Sequence, residues 1–175
     1  GLDLAMKAGL AVRDLEFVAW APLAISGTNV VLPIGMLADG ATLHHSNGTP
    51  LDVDLTADST KLANAIGSNG DVVLDARNMG ESSVWWAQTF ELVSQRLGID
   101  MKKQTVSIHP RVATTIGGIA TDEHGRAVTG RWSRWFTGLY AAGDSACSGL
   151  HGAGLISGNR LLDAVAGGAA AGEHA

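Results

Sequence analysis

The sequence predicts an α/β fold, and three features carry that prediction. An apolar strand, Thr137 to Ala142, stops at Gly143-Asp144 and is followed by a glycine-rich loop, Ser148 to Gly158, and a helix from Asn159. Asp71 to Ala76 reads as a second strand, bounded by Asn69-Gly70 and Asn78. Trp86, Phe90, Val93 and Leu97 recur at helical spacing, so Ser83 to Leu97 reads as an amphipathic helix.

The remaining elements follow in order. Leu4, Ala8 and Ala11 predict a helix over 2–12, and Phe17 to Pro22 reads as a buried strand closed by proline. Gly27 to Leu51 is turn-rich, with irregular strands expected at Val30–Leu32 and Ala41–Leu43. Ser82 or Ser83 can cap the amphipathic helix, and Gly98 stands where a left-handed terminator is favoured. Thr105 to Ile108 reads as a strand running into Pro110, and Gly117 to Arg126 as a strand and a tight turn. The final helix ends in an Ala/Gly tail.

Composition narrows the functional classes. With 175 residues, 46% hydrophobic and 17% charged, the chain suits one or two globular domains with a real core. A net charge of −5 without a basic stripe argues against nucleic acid or an anionic membrane surface as partner. The longest apolar runs, Phe17 to Ile25 and Val30 to Leu37, are too short to span a bilayer. Cys147 is the only cysteine, so no internal disulfide forms. The chain begins at Gly1, already inside a predicted helix, and reads as a piece of a longer protein.

The most informative segment is Gly138 to Asp144. An apolar strand delivers a glycine and then a carboxylate at its C-terminal end, where ligands bind in open α/β sheets. Glycine admits a ligand close to the backbone, and the carboxylate accepts a hydroxyl hydrogen. The N–H groups at Asn159, Arg160 and Leu161, opening the last helix, are expected to be free donors at the positive end of its dipole. The same sequence of parts also occurs in plain β-to-α connections.

Longer stretches add context. Gly9 to Val18, Leu97 to Asp100, Gly117 to Arg126 and Gly138 to Asp163 occur in the order found in the flavoprotein subunits of fumarate reductase, succinate dehydrogenase and L-aspartate oxidase, and the chain resembles that family over nearly its whole length. Only Gly27 to Asp71 matches poorly. The resemblance implies an FAD-binding, Rossmann-like domain, here partial, into which an α+β capping domain is inserted. Residues 1–17 and 113–175 would belong to the former and 18–112 to the latter. It further implies FAD as cofactor, a small-molecule substrate, an electron-transfer subunit as partner, and a cytoplasmic location at the inner face of a membrane. Asp144 matches the acid that contacts the ribityl chain, Arg160 and Leu161 match the pair facing the isoalloxazine, and His151 fits the loop beside the ring. Residue 160 is usually serine in that family, so the arginine is a departure able to tune the flavin. The dinucleotide-binding glycine loop of the family is not among these residues, and the chain alone is expected to bind FAD weakly or not at all.

Substrate contacts of the family are replaced. Ala21-Pro22 stands for its His-Pro, Ala113-Thr114 for its His-Tyr, and Gly154-Leu155 for its Asn-Arg; no arginine lies between Arg13 and Arg77. A dicarboxylate needs fixed cations, and losing one catalytic donor typically costs about 100-fold in rate. Four such losses argue against ordinary fumarate reduction, and no catalytic residue is assigned. Three functions therefore stand: an oxidoreductase of fumarate reductase type, a relative acting on a less charged substrate, and a non-catalytic flavin-binding or assembly subunit.

Other residues carry simpler readings. His44-His45 reads as solvated loop rather than a metal pair, since adjacent strand residues point to opposite faces. His109 reads as a strand-end residue, Cys147 as a small buried one. Of Trp85 and Trp86, one is expected to face the core. Trp132 and Trp135 are expected on an exposed hairpin arm or a subunit contact. For His151, a flavin-site role and a structural role both stand.

Overall fold

The computed structural model describes residues 1–54, 58–129, 134–152, 155–156 and 158–175. Trp132 and Gly154, singled out above, lie outside the described residues. In chain order the first elements are α1 (Leu2–Lys7), β1 (Val12–Arg13), β2 (Val18–Ala21), α2 (Gly35–Ala38), β3 (Thr42–His45) and α3 (Ser59–Ser68). Then come β4 (Val72–Asp75), α4 (Ala87–Leu97), β5 (Val106–Ile108), β6 (Arg111–Thr115) and β7 (Gly118–Ala120). The last are β8 (Arg126–Thr129), β9 (Arg134–Tyr140), β10 (Ala146–Cys147) and α5 (Asn159–His174). Helices and strands alternate from β2 to β5, the strands β5 to β10 then follow in succession before α5, and the mixture is that of an α/β fold. The chain divides into two compact units, Gly1–Ala19 with Val112–Ala175, and Trp20–Arg111.

The Trp20–Arg111 unit is built on an antiparallel sheet of order β3-β4-β5, in which Leu43 pairs with Leu74 and Val72 with Ile108. Leu43, Val72, Leu74, Val106 and Ile108 are buried in one core with Leu62 and Ile66 of α3 and Phe90 and Val93 of α4. Asp58 caps α3 by accepting the Lys61 N–H at 2.9 Å. At the far end of α4, Gly98 takes the left-handed conformation, φ 68°, and its N–H bonds the Ser94 carbonyl. Trp86 packs on this core and donates its indole N–H to Asp39 at 2.8 Å, whereas Trp85 is exposed.

Several expectations need correction here. The helix predicted over 83–97 begins as a tighter 3-10 segment, Gly80–Trp86, and neither Ser82 nor Ser83 caps α4. The region 27–51 holds the short helix α2 and one true strand, β3, while Val31 makes only an isolated bridge to Ala24. His44 and His45 lie in β3 rather than in a loop, and Thr42 Oγ1 hydrogen-bonds His44 Nε2 at 2.8 Å.

In the other unit, β7 is central to a sheet of order β1-β7-β10, antiparallel to β1 and parallel to β10. The turn after β7 is organised by Asp122, whose carboxylate accepts the backbone N–H groups of His124 and Arg126, each at 3.0 Å. The Arg126 guanidinium pairs with the same carboxylate and lies 3.8 Å over the Trp135 ring. β8 and β9 form an antiparallel pair with a register shift between Arg126 and Val128. Thr137 to Ala142, predicted as a buried strand, is not buried: Thr137 and Gly138 are exposed and Leu139 to Ala142 half-buried, and Trp135 and Phe136, earlier in β9, are open to solvent. Its pairing partner is its sequence neighbour, not a parallel strand of an open sheet. The predicted helix over 2–12 ends at Lys7, and the Ala/Gly tail is itself helical as part of α5.

Candidate functional site

Local chain geometry creates a pocket where β9 gives way to β10. Residues Gly143–Ser145 form a 3-10 turn there. Gly143 has φ 58°, and a Cβ on it would come within 2.9 Å of the Ala164 Cβ. Only glycine permits both the left-handed turn and the close approach of α5. That approach sets Asp144 beside the first turn of the helix, where Arg160 Nε donates to Asp144 Oδ1 at 3.0 Å. Arg160 Nη2 reaches the other carboxylate oxygen, completing a fork–fork pair. The Asp144 side chain remains 66% exposed, so the pair is worth at most about 1 kcal/mol to folding.

His151 lies deeper in the same pocket, with Asp163 beside it. His151 Nε2 and Asp163 Oδ2 are 3.7 Å apart, too long for a hydrogen bond. His151 Nε2 is buried and has no hydrogen-bond partner among the described residues. Such an atom is costly to bury unless something else satisfies it. Thr115, Cys147, Ser148 and Leu155 complete much of the wall. Burial, seconded by the Asp14 carboxylate that accepts the Cys147 S–H at 3.2 Å, pushes the Cys147 thiol above its ordinary value. It is therefore a neutral, packed thiol at physiological pH, not a nucleophile.

Three of the four residues singled out for cofactor binding thus share one pocket: Asp144, His151 and Arg160. Leu161 is left outside it, with its side chain 73% exposed. The expected row of free amides is also curtailed. The Asn159 N–H bonds the Ile156 carbonyl at 3.2 Å and the Leu161 N–H bonds the Gly158 carbonyl at 3.1 Å. Asp163 escaped the sequence reading, although a signal existed: it stands three residues after Arg160 on one helix, hence on the same face.

The chain belongs to the family of FAD binding domains, whose pattern matches residues 1–161. FAD is the cofactor of that family, and the chain's relatives are flavoprotein oxidoreductases. It is 33% identical to L-aspartate oxidase of Agrobacterium fabrum over 178 residues, covering 95% of this chain and 33% of that protein. Against the fumarate reductase flavoprotein subunit of Escherichia coli it is 30% identical over 206 residues, covering 100% of this chain and 33% of that one. The chain thus spans about a third of the length of the curated relatives it matches. Among solved structures, Escherichia coli quinol fumarate reductase superposes with a TM-score of 0.83 at 26% identity, over 99% of this chain and 34% of that one. Among the described residues no helix is long and apolar enough to cross a membrane.

The pocket's chemistry fits a flavin. A carboxylate is available to accept a ribityl hydroxyl hydrogen, and a buried imidazole nitrogen has an unmet hydrogen bond. Next to them stands a fixed guanidinium.

Proposed function

We propose that this chain is the ring-side part of an FAD-dependent oxidoreductase flavoprotein subunit of the fumarate reductase and succinate dehydrogenase type, moving a hydride between a substrate C–C bond and the flavin. The observation that carries the reading is the meeting of Asp144, Arg160 and the unpartnered His151 Nε2 in one pocket at the start of α5. When bound, FAD supplies a ring that takes up two electrons. Asp144 would then hold the ribityl chain, Arg160 would face the ring from the helix start, and His151 would donate or accept at Nε2. Residues 18–112 act as the capping domain and residues 1–17 with 113–175 as part of the FAD domain, a reading supported by the two compact units. Electrons leave through a partner subunit, and the protein sits peripherally at the inner face of a membrane, as the family resemblance of the sequence implies.

One observation favours a substrate less charged than fumarate. Leu155, standing where the family resemblance places a carboxylate-clamping arginine, is 8% exposed and lines the same pocket. An aliphatic side chain offers a dicarboxylate nothing in exchange for its hydration. The test is reoxidation of dithionite-bleached holoprotein under anaerobic conditions. Fumarate should return the yellow colour at least about 100-fold more slowly than an unsaturated monoacid or ester, the cost of a missing catalytic donor. Rapid reoxidation by fumarate would restore the dicarboxylate reading, and a full-length protein that takes up no flavin would remove both.

A further inference from the structure

We propose that Arg160 cancels the charge of Asp144 and thereby lets the pocket accept a ring that becomes negative on reduction. The inference rests on the flavin reading above and deepens it. Among the described residues the pocket's charged groups are two carboxylates, Asp144 and Asp163, and one permanent cation, Arg160, with the imidazole of His151 beside them. Without Arg160 the lining would present two negative charges and no fixed positive one.

The geometry makes Arg160 specific to Asp144. Its Nε and Nη2 engage both Asp144 oxygens, and the site where they meet is fixed by the Gly143–Ala164 approach rather than by the guanidinium. Asp163, by contrast, faces His151. An ion pair with a carboxylate this open to water contributes little to folding, so stability does not account for it. Both oxygens of Asp144 keep further lone pairs, which leaves it able to accept a hydroxyl hydrogen while paired. The arginine therefore removes the carboxylate's repulsion without taking away its hydrogen bonding. An uncancelled carboxylate would oppose the anionic reduced ring and leave the neutral oxidised ring nearly untouched.

The experiment is a redox titration of the holoprotein, with FAD affinity measured alongside by fluorescence. R160Q keeps an amide donor toward Asp144 but loses the charge. It should weaken binding of reduced relative to oxidised FAD by about tenfold, which for a two-electron couple is a fall of about 30 mV in midpoint potential. R160K should retain most of the wild-type potential, D144N should raise it, and D144N/R160Q should return it close to wild type. A potential unmoved in R160Q, or a double variant as low as R160Q alone, overturns the proposal. If R160Q does not fold, D144N decides it: a potential that fails to rise when the carboxylate is removed overturns the proposal. Full-length wild-type protein that binds no FAD would instead defeat the underlying reading, an outcome visible before any variant is made.

Discussion

Asp75 shows how a single side chain ties a strand end to its loop. It is buried at the end of β4, where its Oδ1 accepts the Arg77 backbone N–H at 2.9 Å and Nε at 3.0 Å, and Oδ2 accepts Nη2 at 2.7 Å. The Arg77 side-chain hydrogen bonds, opposed in part by burial, hold the carboxyl below the ordinary aspartate value of 3.8. A depressed native value stabilises the fold above the unfolded value of about 3.9 and ceases to do so as pH falls through the native one. D75A should therefore cost about 1–2 kcal/mol at neutral pH, discounted because Arg77 is half-exposed. Urea unfolding should show that difference constant from about pH 5 to 8 and shrinking below about pH 4. A difference that grows on acidification would contradict the assignment. The same local logic made part of the pocket legible in the sequence. Asp144 follows a glycine at a strand end and Arg160 opens a helix, both readable from chain order. The pairing between them, and the placing of Asp163 against His151, depend on how closely α5 approaches the Gly143 turn. Spacing alone does not encode that approach.

Elements were legible where periodicity was strong and the partner was nearby. The apolar stripe of α4 and the run of β4 stand out because one face or both are buried within their own unit. α3 was hidden by polar residues, although Asp58 followed by Leu62, Ala63 and Ile66 is a cap and an apolar face. Thr137 to Ala142 reads as a buried strand from its apolar content, yet with β8 as the partner of β9 none of these residues is fully buried. A strand's hydrophobicity does not say which sheet it joins. Tight backbone contacts give a sharper test at this scale. A Cβ on Gly117 would lie 2.1 Å from the Arg13 carbonyl oxygen and 2.3 Å from the Asp14 carbonyl carbon. Both are main-chain atoms, so no side chain can swing aside. G117A must push β7 away from the segment after β1, at a cost of about 3 kcal/mol or more. By comparison, a Cβ on Gly9 meets nothing within 4 Å, although its φ of 77° adds backbone strain, and G9A should cost about 1–2 kcal/mol. Denaturant midpoints of the two variants provide the check, and equal losses would mean that the approach of β7 to residues 13–14 is looser than described.

At the scale of the molecule, the two units differ in what holds them together. The Trp20–Arg111 unit buries a continuous core in which Leu23, Leu32, Met36, Ile66, Leu74, Met101 and Ile108 are each almost wholly excluded from water. The other unit's core, among the described residues, is the small cluster of Ala5, Leu10, Ile119 and Ala127, while Leu150, Leu161, Leu162 and Val165 are at least 65% exposed. At roughly 25 cal/mol per Å² of apolar surface removed from water, the first unit has far more to lose on unfolding. Segments with few buried apolar contacts open at lower free energy than a packed core. Limited trypsin digestion should therefore cut at Arg134 and Arg160 well before Lys61 and Arg96, although Lys61 is itself exposed on α3. Residues 20–111 expressed alone should unfold in urea as one cooperative transition. Equal cleavage rates in both units, or a gradual, non-sigmoidal melt of 20–111, would show instead that the large core depends on the rest of the chain.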